Sequence, residues 1–214
     1  MDNDKKATEV FRLLKEAYPN VKGTHLNYET PLDLLVATIL SAQCTDGKVN
    51  EVTESLFKKY RRPNDYAEAE IRELEEAIKP TGFYRRKAHF IKQASKKIVE
   101  KFDSQVPRTM EELVSLEGIA RKTANIVLSN VFGMIEGIAV DTHVLRLSKR
   151  LGLTKEKVRE KIEEDLMNIT PRENWFELSN LLIAHGRRVC MARKPNCAEC
   201  VLNDLCPSAF LLSK

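Results

Sequence analysis

The sequence predicts an all-α protein. Apolar residues recur at three- and four-residue spacing along nearly the whole chain, helix-start signals repeat, and alternating strand-like runs are scarce. The first segment carries Val10, Phe11, Leu14 and Ala17 at helical spacing. Thr30-Pro31 then starts a helix running into Leu34-Leu35, with proline at the first helical position, where its missing N–H is harmless. Ile71, Leu74, Ala77 and Ile78 mark another face, and Thr109 with Glu112 reads as a capping box. From Leu116 to Ala124 a tight glycine turn joins that capped helix to an apolar run, Asn125 to Phe132. Ile162, Leu166 and Ile169 mark a later helix; Thr170-Pro171 with Glu173 combines a cap, a first-position proline and a box. About ten helices are expected, joined by short connections at Pro63, Gly82, Gly118, Gly133, Gly152 and Pro195.

At 43% hydrophobic and 31% charged residues over 214 positions, the chain is too apolar for a disordered tail and too charged for a membrane protein. Its longest stretch without a charge, Thr123 to Ile135, is shorter than the roughly 18 apolar residues that span a bilayer. The opening Met1-Asp2-Asn3-Asp4-Lys5-Lys6 has neither the apolar stretch nor the cleavage site of a secretory signal, so no secretion is expected. A chain of this length buries roughly 70% of its unfolded surface and needs no disulfides to fold.

That matters for the cysteines. Four of the five, Cys190, Cys197, Cys200 and Cys206, crowd into the last 25 residues, while Cys44 stands alone beside Gln43 as a small packing residue. Such clustering in an unsecreted chain points to a metal centre. The spacing C-x6-C-x2-C-x5-C has one CxxC unit where common zinc modules have two, and its unequal gaps suit a larger [4Fe–4S] cluster; both metals stay open on spacing alone. Between Cys190 and Cys197 lies a basic loop whose Arg193 and Lys194 would be held outward by a metal pinning both ends. The net charge of +4 is a weak hint, but its distribution is informative. No acidic residue occurs from Leu178 through Ala198, which contains Arg187, Arg188, Arg193 and Lys194. Arg85-Arg86-Lys87 follows Gly82 and Arg121-Lys122 follows Gly118, and basic residues at turns are well placed to meet phosphates.

The helix–turn–helix at Gly118 exposes backbone N–H groups at a helix N-terminus, which bind phosphate without reading base sequence. Lys122 lies near that helix start, where the dipole disfavours an added positive charge and helps the neutral, nucleophilic amine. Nineteen residues on, Val140-Asp141-Thr142-His143-Val144-Leu145-Arg146 places a carboxylate at the mouth of the next helix, as an N-cap, as a group acting on protons, or as both.

Leu116-x-Gly118-x-x-Arg121-Lys122-Thr123-Ala124, Val140-Asp141-Thr142-His143-Val144-x-Arg146 and the cysteine cluster together resemble the endonuclease III family, DNA glycosylase/lyases of the helix-hairpin-helix superfamily. Leu40-Ser41-Ala42-Gln43-Cys44-Thr45-Asp46 is a fourth match, and the resemblance runs end to end. It implies an all-α, two-lobed helix-hairpin-helix DNA glycosylase fold: a six-helix barrel domain at 24–135 containing the hairpin, and a discontinuous domain, 1–23 with 136–214, holding a [4Fe–4S] cluster at 190–206. DNA would bind across the cleft between the lobes, bent, with the damaged base flipped out. By this resemblance Lys122 attacks C1′, expels the base and forms a Schiff base, after which β-elimination cuts the strand 3′ to the lesion. Asp141 would assist the attack, Gln43 would fill the hole left by the flipped base, and Phe83 would wedge the opposite strand. Cys190, Cys197, Cys200 and Cys206 would hold the cluster. Gly118, Ala120, Arg121, Thr142, His143, Arg193 and Lys194 are further expected DNA contacts. The implied partner is double-stranded DNA carrying oxidised or ring-saturated pyrimidines, such as thymine glycol, or abasic sites. A monomer is expected, cytoplasmic and nucleoid-associated in a prokaryote, with no membrane partner.

The hairpin usually reads Gly-Val-Gly where this chain has Gly118-Ile119-Ala120. An alanine forced to positive φ would be strained by about 1 kcal/mol or more, whereas one that opens the following helix would be tolerated. Glu117, where proline is usual, adds negative charge near the DNA backbone, so weaker DNA binding than in relatives is expected. One rival is a monofunctional mismatch glycosylase, against which Lys122 argues; the adenine mismatch enzymes also carry an extra C-terminal domain, and this chain ends eight residues after Cys206. The other is a non-catalytic iron–sulfur DNA-binding protein, which would have no need of both Lys122 and Asp141.

Overall fold

The computed structural model describes residues 2–211, so the expected domain ends at Met1 and at 212–214 lie outside the described residues. Among the described residues eleven α-helices occur in this order: α1 Asn3–Ala17, α2 Pro31–Leu40, α3 Asp46–Lys59, α4 Pro63–Glu68, α5 Ile71–Ile78, α6 Tyr84–Lys101, α7 Met110–Val114, α8 Arg121–Val131, α9 Thr142–Arg150, α10 Arg159–Asn168 and α11 Trp175–Arg188. Short 3₁₀ turns lie at Lys79–Thr81, Arg172–Asn174, Cys197–Glu199 and Asn203–Leu205, and no strand occurs among the described residues. The chain divides into two compact units, Met1–Gly23 with Ile135–Lys214, and Thr24–Met134.

The Thr24–Met134 unit is built around α2, which is buried on all sides from Leu32 to Leu40. A helix with no polar face has to be central, and here α3, α6 and α8 pack against it. Its start is as the sequence signals: the Thr30 side chain accepts the Asp33 N–H, and Asp33 Oδ2 accepts the N–H groups of Glu29 and Thr30 at 3.2 and 2.9 Å. Around it Leu34, Leu35, Leu40, Leu74, Ile78, Ile91, Ile98, Leu113 and Leu128 form one continuous core. Tyr60 and Tyr66 stack within it at 4.9 Å between ring centroids.

In the other unit α1 packs against α11, which also packs against α9. Val10, Leu14, Val144, Leu147, Ile162, Leu166, Leu178, Leu181 and Leu182 fill that core. The Thr170 signal is misleading. Thr170 caps nothing: its hydroxyl is buried without a partner and its carbonyl accepts the Trp175 indole N–H at 2.8 Å. Pro171 precedes the 3₁₀ turn Arg172–Asn174, and α11 starts only at Trp175. Thr109 does cap α7, but its hydroxyl donates to the Glu112 carboxylate, so the reciprocal half of the box is missing.

Asp33→Ala should leave two N–H groups unsatisfied at a nearly buried helix start and lower the unfolding free energy by about 1–2 kcal/mol. A urea titration of the variant checks this as a lower midpoint with an unchanged slope.

Candidate functional site

The hairpin turn begins with Leu116, buried in the core, whose carbonyl accepts the Ile119 N–H at 3.2 Å. Gly118 has φ of +80°, and a Cβ there would lie 2.5 Å from the Phe90 side chain, so conformation and space both require glycine. Ile119 turns inward and is 5% exposed. Ala120 is the N-cap of α8 with φ −92° and ψ 165°, an extended backbone that any residue adopts. The strained alternative for this alanine therefore does not apply. It is not helical either: α8 opens one residue later, at Arg121, and Ala120 supplies no side-chain cap. Lys122 is the second residue of α8 and half-buried. Glu117 does not stand alone, because His89 Nε2 on α6 lies 3.1 Å from its carboxylate, a pair that is ionic when His89 is protonated.

Asp141 is the N-cap of α9. Its Oδ1 accepts the backbone N–H groups of His143 and Val144, both at 2.8 Å, so the cap uses a single carboxylate oxygen. Val140, 3% exposed, and Val144, fully buried, anchor this helix start on either side. His143 Nδ1 lies 3.1 Å from an Arg146 guanidinium nitrogen; as Arg has only donors, Nδ1 is the acceptor. Burial holds the His143 pKa below its usual value, so the ring is neutral near pH 7. Thr142 beside it is exposed.

The far end of α9 meets the cysteine loop. Arg146 donates to the carbonyls of Gly186 and Cys190 at 2.9 Å, and Arg150 donates to those of Met191 and Ala192 at 2.7 and 3.0 Å and to Cys190 Sγ at 3.2 Å. The four cysteines form no disulfide and line one cavity together with Arg150, Val189, Pro195 and Asn203. Among the described residues no three His, Cys, Asp or Glu side chains close on a single-ion site. Four thiols facing one cavity are a ligand set that suits a polynuclear iron–sulfur cluster. Burial pushes the thiols of Cys200 and Cys206 up, so a bare thiolate set is unfavourable here and an iron core would supply the compensating positive charge. His185 is 1% exposed, with its pKa pushed down to about 4 by burial. Its Nε2 lies 3.3 Å from Cys200 Sγ and its Nδ1 2.8 Å from the Tyr18 hydroxyl. Arg193 and Lys194 are exposed on the loop between the first two cysteines.

Gln43 and Phe83 are both exposed and both left-handed, at φ 54° and 48°. A bulky side chain in that region costs on the order of 1 kcal/mol or more and marks a position held by its surroundings. The basic run after Gly82 divides. Arg85 and Arg86 are exposed, lying against the rings of Tyr84 and Phe90, whereas Lys87 is 3% exposed and points inward. The reading of all three as phosphate-facing is corrected for Lys87, which shares the inward face of α6 with Ile91, Ala94 and Ile98. That register is the signal that could have found it. His185, Arg146 and Arg150 were likewise not singled out as parts of the cysteine centre. For His185 the signal is its helical spacing from Leu178, Leu181 and Leu182 on α11, five residues before Cys190.

Gly118→Ala should destabilise by about 2 kcal/mol or more, from positive φ and the Phe90 contact, while Ala120→Gly should stay within about 1 kcal/mol of the parent. Ala120→Gly should also raise affinity for DNA, measured by fluorescence anisotropy on an undamaged duplex. Unchanged or lower affinity would contradict the expectation drawn from the hairpin.

Residues 36–172 match the HhH-GPD superfamily of base excision DNA repair proteins, and residues 190–206 match the iron–sulfur binding domain of endonuclease III. Endonuclease III of Synechocystis sp. is 54% identical over 204 residues, 95% of this chain and 93% of that protein. A solved non-covalent endonuclease III–DNA complex has a TM-score of 0.93 at 40% identity, covering 98% of this chain and 97% of that one. A trapped endonuclease III–DNA covalent intermediate has a TM-score of 0.95 at 39% identity, covering both chains fully. An all-helical fold, a Gly118 turn ahead of Lys122, an aspartate cap at 141 and four thiols around one cavity thus meet in a chain that belongs to the endonuclease III family of helix-hairpin-helix proteins with a [4Fe–4S] cluster.

Proposed function

We propose that this chain is a bifunctional DNA glycosylase and abasic-site lyase that removes oxidised or ring-saturated pyrimidines, thymine glycol among them, from double-stranded DNA. Lys122 on the first turn of α8 carries the reading, because a helix N-terminus disfavours a second positive charge and helps the amine remain the neutral nucleophile. The amine attacks C1′ of the damaged nucleotide, and the C1′–base bond breaks with the base leaving as its anion and taking up a proton. Opening of the sugar ring gives the imine. Loss of a proton from C2′ then expels the 3′ phosphate, and hydrolysis of the imine frees Lys122. Asp141 is the carboxylate that assists: the two backbone bonds on Oδ1 fix its position, and its charge favours the cation developing at the sugar.

The binding surface follows from the same helix ends. Gly118, Ala120 and Arg121 receive a phosphate at the opening of α8, Thr142 and His143 a second at the opening of α9, and Arg193 and Lys194 a third on the cysteine loop. Gln43 and Phe83 enter the duplex from two turns of one unit. Cys190, Cys197, Cys200 and Cys206 hold the cluster. When bound, it cross-links the loop, and Arg146 and Arg150 tie that loop to α9. Grip of this kind suits an enzyme that searches any sequence, since flipping costs only a few kcal/mol and least at a damaged base. No helix of the described residues is long and apolar enough to cross a membrane. We infer a monomer acting on the nucleoid DNA of a prokaryotic cytoplasm.

Single-turnover incision of a duplex with one thymine glycol tests this. Lys122→Ala should abolish strand cutting, and Asp141→Asn should slow it by about 10²–10⁴-fold. Base release without cutting in the wild type would make it a monofunctional glycosylase, and full cutting by Lys122→Ala would remove the lysine from the mechanism.

A further inference from the structure

Gln43, beyond the C-terminus of α2, and Phe83, at the start of α6, are among the exposed, left-handed, non-glycine residues of the Thr24–Met134 unit. A glutamine and a phenylalanine do not hold that backbone by themselves, so something must fix each turn. One side chain reaches both. Lys87 Nζ donates to the carbonyl of Leu40, the last residue of α2, and to the carbonyl of Thr81, two residues before Phe83, each at 2.8 Å. The backbone N–H of Lys87 donates to the Phe83 carbonyl at 3.1 Å.

This is a demanding place for an ammonium. Lys87 is 3% exposed, and among the described residues its side-chain bonds go to backbone carbonyls and to no carboxylate. Burying a charge without a counter-ion is unfavourable unless its donors are well satisfied, and an apolar side chain would fill the same core position without that penalty. What an apolar residue cannot do is join two carbonyls from separate segments. The Leu40 carbonyl is an orphan acceptor at the negative end of a helix, and the Thr81 carbonyl belongs to the last residue of the 3₁₀ turn Lys79–Thr81. A single nitrogen bonding both keeps the two oxygens within the span of two hydrogen bonds.

We propose that Lys87 is a positioning residue for DNA entry: by tying the end of α2 to the turn before α6, it fixes the spacing and direction of Gln43 and Phe83 so that both side chains enter the duplex together. The inference rests on the reading above that these two residues insert. Lysine suits the task because it offers three donors and no acceptor from one point.

The test uses the cluster-loaded full chain on a duplex with a stable abasic analogue opposite 2-aminopurine, whose fluorescence rises when the orphaned base is unstacked. Four proteins are compared: wild type, Lys87→Met, the double variant Gln43→Ala/Phe83→Ala, and the triple variant. At saturating protein, Lys87→Met should shift the unstacking equilibrium about tenfold toward the stacked state while keeping its helical circular dichroism. The double variant should lose the same signal, and Lys87→Met should add nothing in that background. Additive losses would make Lys87 merely structural and overturn the proposal. So would an unchanged signal in Lys87→Met with a lost one in the double variant, which leaves insertion standing. A full signal in the double variant would defeat the insertion reading itself. If Lys87→Met does not fold, Lys87→Gln, shorter but still a donor, takes its place: a weakened signal supports the tie, and a wild-type signal overturns it.

Discussion

Helix ends leave backbone groups without partners, and nearly every residue with a proposed role in this chain sits where that shortage is met. Asp141 meets it for α9 with its own carboxylate. Lys87 meets it for the last carbonyl of α2, and Arg146 and Arg150 meet it for the carbonyls that follow α11. At α8 the N-cap is Ala120, whose side chain brings nothing, and it is there that a phosphate is proposed to bind. The interiors of the helices make the two cores; the chemistry is left to their ends.

This division explains how a mild net charge of +4 can serve a nucleic-acid partner. The basic residues after Gly82 and Gly118 and on the cysteine loop are set at turns or helix starts rather than along helix faces. The cysteine loop follows the same logic. It carries its own basic residues, and the guanidinium groups of Arg146 and Arg150 on α9, the helix that Asp141 caps, donate to its carbonyls. The cysteine loop is thereby hydrogen-bonded to the helix that Asp141 caps.

Much of this was legible in the sequence, and for identifiable reasons. The cysteine spacing, the Gly118 turn and the Asp141 cap are local patterns, and local patterns survive folding. Thr30-Pro31 reads correctly because Asp33 completes a box within the same turn. Thr170-Pro171 fails because tertiary burial of the threonine and the indole bond to its carbonyl override the local signal. The sequence offers Ala120 a strained or a helical backbone, and the chain takes a third, extended conformation one residue before the helix. Lys87 was least legible: three basic residues in a row look alike as composition, and only the register of α6 separates the one that turns inward.

The central claim is that the amine of Lys122 becomes covalently bound to the sugar of the damaged nucleotide. Its most direct test is borohydride reduction during turnover on a thymine glycol duplex, followed by proteolysis and mass mapping of the adduct. One modified peptide is expected, containing Lys122 and carrying the reduced sugar. An adduct on another lysine, or none from a cluster-loaded enzyme that still releases the base, would contradict it.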